Sequence, residues 1–389
     1  MRGALYRGCA VVDHASRSLR PEVSILTVDG RVAYLGPDAD APEPPDGVEL
    51  VDAGGTTAVA GMVDAHSHLT LPGGAHWIDR GLDPTPRLRA AAEDNARLLR
   101  QAGVRWARDV GAPLRDGRAV SLTVRDGWRG RPGYPYVRAA GGWLARSGAL
   151  PPRLAVEVDD GDGLLAAALG QLDDGADLVK LYLDGPDRGV APFSADEVGR
   201  TVAAVHGRGA TVTAHSTLLA GARVGVAAGV DALEHGFQLD ADLARAMAAG
   251  GVALVATLAV LESWRSFGAT TRLPRFHSAA GRAALAERRD AAHASVRLAH
   301  AAGVLIAAGT DFGGGSLRAN QLAWEVGSLV AAGLDPYDAL AAATVNGGRL
   351  LREPDAGVLR QGGPADLVLV HGDPLSDPAA LWRVWRTSW

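Results

Sequence analysis

The chain has very little cysteine and lysine. Its single cysteine, Cys9, cannot form an internal disulfide and has no second thiolate with which to build a metal site, so any metal needs histidine, carboxylate or modified ligands. Lys180 is the one lysine among 39 basic residues, and all the others are arginine. We expect a lysine retained in such an arginine-rich chain to perform a role that a guanidinium cannot, with chance survival as the alternative.

Long apolar runs and a strong excess of one charge are also missing. No segment reaches the roughly 18 apolar residues that span a bilayer, and the first residues lack the apolar stretch of a signal peptide. A net charge of −5 does not favour a polyanionic partner, and a hydrophobic content of 47% is that of a globular protein. We therefore expect a cytoplasmic protein with no nucleic-acid or membrane partner; a homo-oligomer stays open.

Strand-like and helix-like segments alternate between residues 56 and 311. Short apolar runs that end in polar residues or glycine are separated by stretches with helical apolar spacing, such as residues 87–100 and 196–206. The eight runs cover residues 57–63, 103–110, 136–140, 178–183, 210–214, 230–233, 252–258 and 304–308. Eight strands alternating with helices predict an α/β fold, specifically a (β/α)₈ TIM barrel, which takes about 250 residues.

The two ends of the chain show a different pattern. Residues 23–36 contain two strand-like runs about an Asp-Gly turn, and residues 365–374 contain another such run. We predict that residues 1–55 and 357–389 pair into a small β-sandwich. The sandwich flanks a catalytic barrel formed by residues 56–356.

Polar groups follow several of the predicted barrel strands, where such folds carry their active sites. His66 and His68 are two residues apart, so both side chains lie on one side of an extended strand and can reach one ion. The other groups at or near predicted strand ends are Lys180, His215, His235 and Asp311. A His-x-His pair alone is common in structural roles, but the joint pattern predicts a metal site. The remaining histidines, His14, His76, His206, His277, His293, His300 and His371, are expected to have solvent or packing roles, although His76 could edge the pocket.

With these segments the sequence resembles the amidohydrolase superfamily over nearly the whole chain. The segments that carry the resemblance are residues 61–68, 175–181, 213–216, 233–236, 309–311 and 362–370. The sequence is most similar to the binuclear branch of Xaa-Pro dipeptidases, acyl amino-acid hydrolases and imidazolonepropionases. The resemblance implies a metal-dependent hydrolase that cleaves an amide or cyclic amide C–N bond of a small molecule, such as an N-acyl amino acid, a dipeptide or a cyclic imide.

The resemblance also implies a set of metal ligands. One metal is implied to be bound by His66, His68 and Asp311, and a second by His215 and His235. Lys180, carboxylated by CO₂, is implied to bridge two divalent ions, which we expect to be zinc, with manganese, iron or cobalt as alternatives. A carbamate offers two hard oxygens that arginine cannot form, which accounts for the retained lysine. Asp311 is implied to be the catalytic proton acceptor as well as a ligand.

The substrate contacts depart from the dipeptidase pattern. Those relatives usually carry a Gly-Gly-His loop after strand 3, whereas residues 140–146 read AlaGlyGlyTrpLeuAlaArg. Trp143 could form an aromatic wall and Arg146 a carboxylate clamp, although Trp143 could instead pack within its own loop. Tyr182 either faces the pocket or packs inside the barrel. The glycines at 313–315 are expected to form a flexible active-site loop.

Two other functions stay open at this point. A mononuclear deaminase of the same superfamily usually has a glutamate a few residues beyond the strand-5 histidine, and residues 216–221 contain none. A non-catalytic scaffold protein would have lost ligand residues, and this chain retains all six. Ester, lactone or phosphoester substrates also stay open, because the same activated water would attack each of them.

Overall fold

The computed structural model describes residues 3–13, 16–151, 153–187 and 189–389, so that His14 lies outside the described residues. The strands are β1 (Gly3–Asp13), β2 (Ser18–Val28), β3 (Arg31–Pro37), β4 (Glu49–Asp52), β5 (Thr56–Ala60), β6 (Met62–Ser67), β7 (Val104–Asp109), β8 (Leu114–Arg115), β9 (Arg118–Ala119), β10 (Tyr136–Ala139), β11 (Leu144–Arg146), β12 (Val156–Val158), β13 (Leu178–Tyr182), β14 (Thr211–Ser216), β15 (Ala232–His235), β16 (Ala253–Ala256), β17 (Ile306–Ala308), β18 (Leu367–His371) and β19 (Val384–Thr387). The helices are α1 (Trp77–Arg80), α2 (Thr85–Gln101), α3 (Val120–Trp128), α4 (Gly161–Asp173), α5 (Ala195–Gly207), α6 (Leu219–Ala227), α7 (Ala241–Gly250), α8 (Leu258–Thr270), α9 (Pro274–His277), α10 (Ala279–Ala301), α11 (Leu322–Ala332), α12 (Pro336–Ala342) and α13 (Val345–Leu351).

The two chain ends pair in one seven-stranded sheet. Its order is β19-β18-β5-β1-β2-β3, and β4 pairs with β1. The predicted hairpin is present, because β2 and β3 flank Asp29 and Gly30, whose φ angles of 45° and 78° suit a tight turn of the hairpin type. Tyr6, Ile25 and Leu367 are buried in the core of this sheet. The second layer of the predicted sandwich stays a prediction.

The first predicted barrel strand, residues 57–63, is divided between two sheets. Its first part lies in β5, which pairs with β18 of the terminal sheet, and its last part begins β6, which pairs with β7. Gly61 separates the two strands, and a Cβ atom there would lie 2.7 Å from the Cβ of Arg105. An apolar run does not reveal which sheet it joins, so the sequence could not locate this break. The division of the chain at residues 56 and 357 stays a prediction.

The middle of the chain forms an α/β fold with parallel strands. One sheet has the order β10-β7-β6 and the other β12-β11-β13-β14-β15-β16-β17. A parallel bridge between Ala140 and Leu178 links β10 to β13. The N–H of Asp311 donates to the carbonyl of His66 at 2.8 Å, which links the segment after β17 to β6. Six of the eight predicted runs contain β7, β10, β13, β14, β16 or β17 in whole or in most part, and the run at 230–233 contains the first half of β15. Strands β11 and β12 are additional, and three-residue strands carry too little periodicity to be predicted.

The helices cover these strands with amphipathic faces. Helix α5 begins after Ser194, whose side chain forms a reciprocal capping box with Glu197. Val198, Val202 and Val205 are buried at helical spacing on its inner face. Such packing leaves the parallel strands buried on both sides, as all four residues of β16 illustrate. Among the described residues, none of the helices is both long enough and apolar enough to cross a bilayer.

Candidate active site

The six predicted ligands line a single cavity of about 230 Å³. They come from different strands or from the residues that follow them, which is why their sequence positions are so far apart. The six are His66, His68, Lys180, His215, His235 and Asp311. Trp143 and Tyr182, two of the predicted substrate contacts, line the same cavity.

Asp311 lies at the centre of the histidine cluster. Its Oδ1 atom is 3.4 Å from the Nε2 of His66 and 3.2 Å from the Nε2 of His68. Ligand atoms of His66, His235 and Asp311 all lie within 4.8 Å of one another, so this group joins members of both predicted ligand sets. Burial alone would raise the pKa of Asp311, but the imidazoles of His66 and His68 hold it well below its usual range. A deprotonated carboxylate is the form that binds a metal or accepts a proton.

Three of the histidines are fixed through Nδ1. These contacts run from His66 to Glu234 Oε2 at 2.6 Å, from His68 to the Gly111 carbonyl at 2.7 Å and from His235 to Thr257 Oγ1 at 2.8 Å. With the proton on Nδ1, each ring keeps the lone pair of Nε2 for a metal. Burial, together with repulsion from His215 and His66, lowers the pKa of His235 well below its usual value. The neutral ring is the ligand form of histidine.

Glu234 is a functional group that the sequence analysis missed. It is completely buried and contacts His66, Arg108 and Thr213 through its two carboxylate oxygens. Burial would raise the pKa of Glu234, but the positive charges of Arg108 and Lys180 hold it well below its usual range. A signal for it existed, since a charged residue inside a strand buried on both faces needs a specific partner.

Lys180 is almost completely buried in the middle of β13, and its Nζ atom has no hydrogen-bond partner. Burial lowers the pKa of Lys180 to about 8, although the negative charge of Glu234 opposes the shift. A buried ammonium without a hydrogen-bond partner costs free energy. The side chain therefore suits either a bound group that would contact Nζ or a chemical modification of the amine. A larger neutral fraction also makes the amine more nucleophilic.

His215 has a different environment from the other histidines. Its Nε2 lies 3.3 Å from Oδ2 of Asp184, and its ring stacks on Tyr182 with 4.0 Å between centroids. Asp184 also accepts hydrogen bonds from the backbone and hydroxyl of Thr217. Asp184 lies two residues beyond the end of β13 and reaches His215, a predicted ligand. Burial lowers the pKa of His215, against the opposing effect of the Asp184 carboxylate.

The backbone around the cluster is constrained. His235 and Asp311 have φ angles of 70° and 54°, in the left-handed region that residues other than glycine rarely adopt. A Cβ atom at Gly314 would lie 2.0 Å from Cδ2 of His68, so the glycine permits close approach to this ring. The glycines at 313–315, expected to form a flexible active-site loop, thus lie directly against the cluster.

Trp143 and Arg146 lie in different environments. Trp143 is buried, and its ring centroid lies 5.2 Å from that of His68. Arg146 is not among the described residues that line the cavity, and its guanidinium carbon lies 5.9 Å from the ring centroid of Phe193. Trp143, the predicted aromatic contact, therefore lines the cavity, and Arg146, the predicted carboxylate clamp, does not.

Comparison with known proteins settles the family. The family model described as the amidohydrolase family matches residues 57–386, which is most of the chain. The chain belongs to the amidohydrolase family. The resemblance on which the sequence analysis relied is confirmed, and so is the prediction of a hydrolytic enzyme.

Related proteins match nearly all of this chain. An uncharacterized protein of Mycobacterium tuberculosis is 32% identical over 374 residues, which cover 92% of this chain and 88% of that protein. The imidazolonepropionase of Salinispora arenicola is 28% identical over 397 residues, with coverage of 95% and 89%. These relatives support the predicted branch of the superfamily.

Solved structures agree with the fold. The crystal structure of a Xaa-Pro dipeptidase with bound methionine in its active site is 23% identical and superposes with a TM-score of 0.84, covering 99% of this chain and 98% of that one. A crystal structure described as an amidohydrolase is 26% identical, with a TM-score of 0.83 and coverage of 99% and 97%. At such identities the dipeptidase shows a shared fold and says nothing of this chain's substrate.

Proposed function

We propose that this amidohydrolase cleaves an amide or cyclic amide C–N bond of a small molecule at a centre of two divalent metals. The observation that carries the proposal is the convergence of four histidines, Asp311 and the one lysine on a single cavity. Imidazole and carboxylate ligands suit zinc, with manganese, iron and cobalt as alternatives. The imidazolonepropionase relative supports cleavage of a cyclic amide.

We further propose that β6, β7, β10 and β13 to β17 close into a (β/α)₈ barrel. The parallel bridge from Ala140 to Leu178 and the one from Ser67 to Phe312 support closure at the two points where the sheets are interrupted. Residues 56–356 would then form the catalytic domain, flanked by a sandwich built from residues 1–55 and 357–389. The cavity would lie at the carboxyl ends of the strands, where barrel enzymes carry their active sites.

The buried amine of Lys180 fits a carbamate between the two metals. Its unpartnered Nζ and its pKa of about 8 both favour reaction of the neutral amine with CO₂. The amine lone pair forms a bond to the carbon of CO₂ while the electrons of one C=O π bond move to its oxygen, and release of one N–H proton to water leaves a carbamate with a negative charge. His66, His68 and Asp311 would hold one metal and His215 and His235 the other.

Divalent cations held by these residues would supply Lewis-acid activation of a water and of the substrate carbonyl. The carboxylate of Asp311 accepts the proton of the attacking water and returns it to the leaving nitrogen. Its position beside His66 and His68 keeps it ionised and ready to accept that proton. Contacts of Nδ1 with the Glu234 carboxylate and with the Gly111 carbonyl orient the rings of His66 and His68, respectively.

The test is elemental analysis of protein purified without chelator, followed by a hydrolysis screen. We expect about two divalent ions per chain and turnover of at least one class among N-acyl amino acids, dipeptides and cyclic imides. Chelation should abolish turnover, and added metal should restore it. A protein that takes up no metal and hydrolyses none of these compounds would instead be a scaffold that has kept the fold.

A further inference from the structure

The cavity beside the catalytic groups is lined by large apolar side chains. Leu71, Ile78, Leu150 and Leu154 contribute aliphatic surface. Three indoles, those of Trp77, Trp143 and Trp264, complete this wall. A small molecule that reaches the catalytic groups must therefore place an apolar or aromatic part against tryptophan.

Two of these tryptophans form a stacked pair. The rings of Trp77 and Trp264 lie 5.5 Å apart between centroids and are inclined by only 14°. Trp77 is in α1, shortly after His68, whereas Trp264 is in α8, which follows β16. The pair thus brings two helices that follow different strands together as one aromatic face of the cavity.

The arginines near this wall are not among the described residues that line the catalytic cavity. Arg275 lies over the ring of Trp77 at 4.8 Å and lines a neighbouring cavity to which Trp77 and Trp264 also contribute. Arg146 lies over Phe193 instead. Of the described residues lining the catalytic cavity, Lys180 is the one cation other than histidine, and its amine is assigned to the metals in the proposed function. A substrate carboxylate would enter this wall without a cationic partner there, which is costly.

The geometry points to an uncharged amide with an aromatic substituent as the preferred substrate, its ring lying against Trp77 and Trp264. Of the substrate classes expected from the sequence, this favours cyclic and aryl-bearing amides over N-acyl amino acids and dipeptides, which carry a free carboxylate. The inference rests on the proposed function for the position of the reacting bond. Its selectivity for the rest of the molecule comes from the apolar wall formed by the described residues that line the cavity.

The test uses two probes that differ only in one carboxylate, N-acetylphenethylamine and N-acetylphenylalanine. Affinity is measured by calorimetry on the metal-loaded enzyme, and kcat/KM is measured separately. We expect the neutral probe to bind at least about 10-fold more tightly, because its competitor must bury an unpaired charge. Equal or tighter binding of N-acetylphenylalanine, or binding of neither probe, would overturn the inference. Tight binding of the neutral probe without hydrolysis would leave the inference standing and count against the proposed amide hydrolysis.

Variants of the stacked pair identify the wall as the source of selectivity. Trp264→Ala should weaken binding of N-acetylphenethylamine several-fold and raise KM more than it lowers kcat, and Trp264→Phe should restore most of the affinity. Metal content serves as the folding control, and Trp77→Phe with Trp77→Ala provides a second pair. Arg188, which lies outside the described residues, is changed to Ala in parallel. If Arg188→Ala alone abolished binding of N-acetylphenylalanine while wild type bound it well, an arginine clamp would replace the apolar wall as the determinant.

Discussion

The Nδ1 atom of His66 lies 2.6 Å from Oε2 of Glu234, and both side chains are buried. The contact fixes the proton of His66 on Nδ1 and turns Nε2 toward Asp311. Because Arg108 also contacts this carboxylate, one buried glutamate neutralises an arginine and orients a predicted ligand. The orientation of His66 therefore depends on a residue that is not among the six predicted ligands.

Glu234→Gln should weaken metal binding by roughly 10- to 100-fold, although it changes none of the six predicted ligands. The amide keeps the shape of the side chain but removes the charge that holds His66 and Arg108. Titration of chelator-stripped protein with zinc measures the change. Thr213→Val removes a hydroxyl partner of the same carboxylate and should have a smaller effect. Unchanged zinc affinity in Glu234→Gln would remove Glu234 from the account.

Asp311→Asn should lower kcat by at least about 10²-fold, because an amide cannot accept the proton of the attacking water. The substitution also weakens a predicted ligand, so metal content is measured on the same samples and turnover is expressed per metal-loaded chain. A secondary-structure spectrum like that of wild type shows that the fold survives. Turnover near the wild-type value would refute the assigned role of Asp311.

Gly314→Ala should displace the ring of His68, because the added methyl group would lie 2.0 Å from its Cδ2 atom. We expect weaker metal binding and a loss of activity of about 10-fold or more. The matched control is Gly170→Ala in α4, where a Cβ atom meets nothing within 4 Å and the helix should be equally or more stable. Normal metal content and activity in Gly314→Ala would contradict this prediction and show that the loop can move its backbone away from His68.

Glu325 should make the protein less stable as the pH rises. It is buried in α11, accepts one hydrogen bond from Ala259 N–H at 2.6 Å, and burial raises its pKa from 4.5 to about 8. Between these two values the unfolded chain releases the proton and the folded chain keeps it. The folded state therefore binds more protons, and the free energy of unfolding falls as the pH rises from about 4.5 toward about 8.

Glu325→Gln should reduce this pH dependence and stabilise the protein relative to wild type at the upper end of that range. Denaturant unfolding at several pH values measures the difference between variant and wild type, so that the contribution of metal binding largely cancels. Exposed Glu287→Gln is the control and should leave the dependence unchanged. An identical pH profile in Glu325→Gln and wild type would contradict the assignment.

The sequence predicted several residues that line the cavity because strand ends carry distinctive residues. His66, His215 and Asp311 each follow or end an apolar run, and parallel strands bring such positions to one edge. The single lysine was conspicuous for its rarity. All six predicted ligands line the cavity, although their roles toward the metals stay predictions.

Other features required three-dimensional contacts. Arg146 follows Trp143 by three residues and is the last residue of β11, where successive side chains point to opposite sides, and it lies over Phe193. Trp77 and Trp264 are far apart in sequence, and nothing in either segment predicts that they stack. The break at Gly61 depends on its close approach to Arg105 from a neighbouring strand.

The most direct test of the central claim is the metal content of Lys180→Arg measured beside wild type. Arginine keeps the positive charge but cannot form a carbamate, and the buried Nζ of Lys180 has no hydrogen-bond partner that a guanidinium could inherit. The account predicts two metals per chain in wild type, loss of at least one in Lys180→Arg together with nearly all activity, and partial rescue of Lys180→Ala by a short-chain carboxylate. If Lys180→Arg kept two metals and normal activity, the carbamate-bridged centre would be wrong.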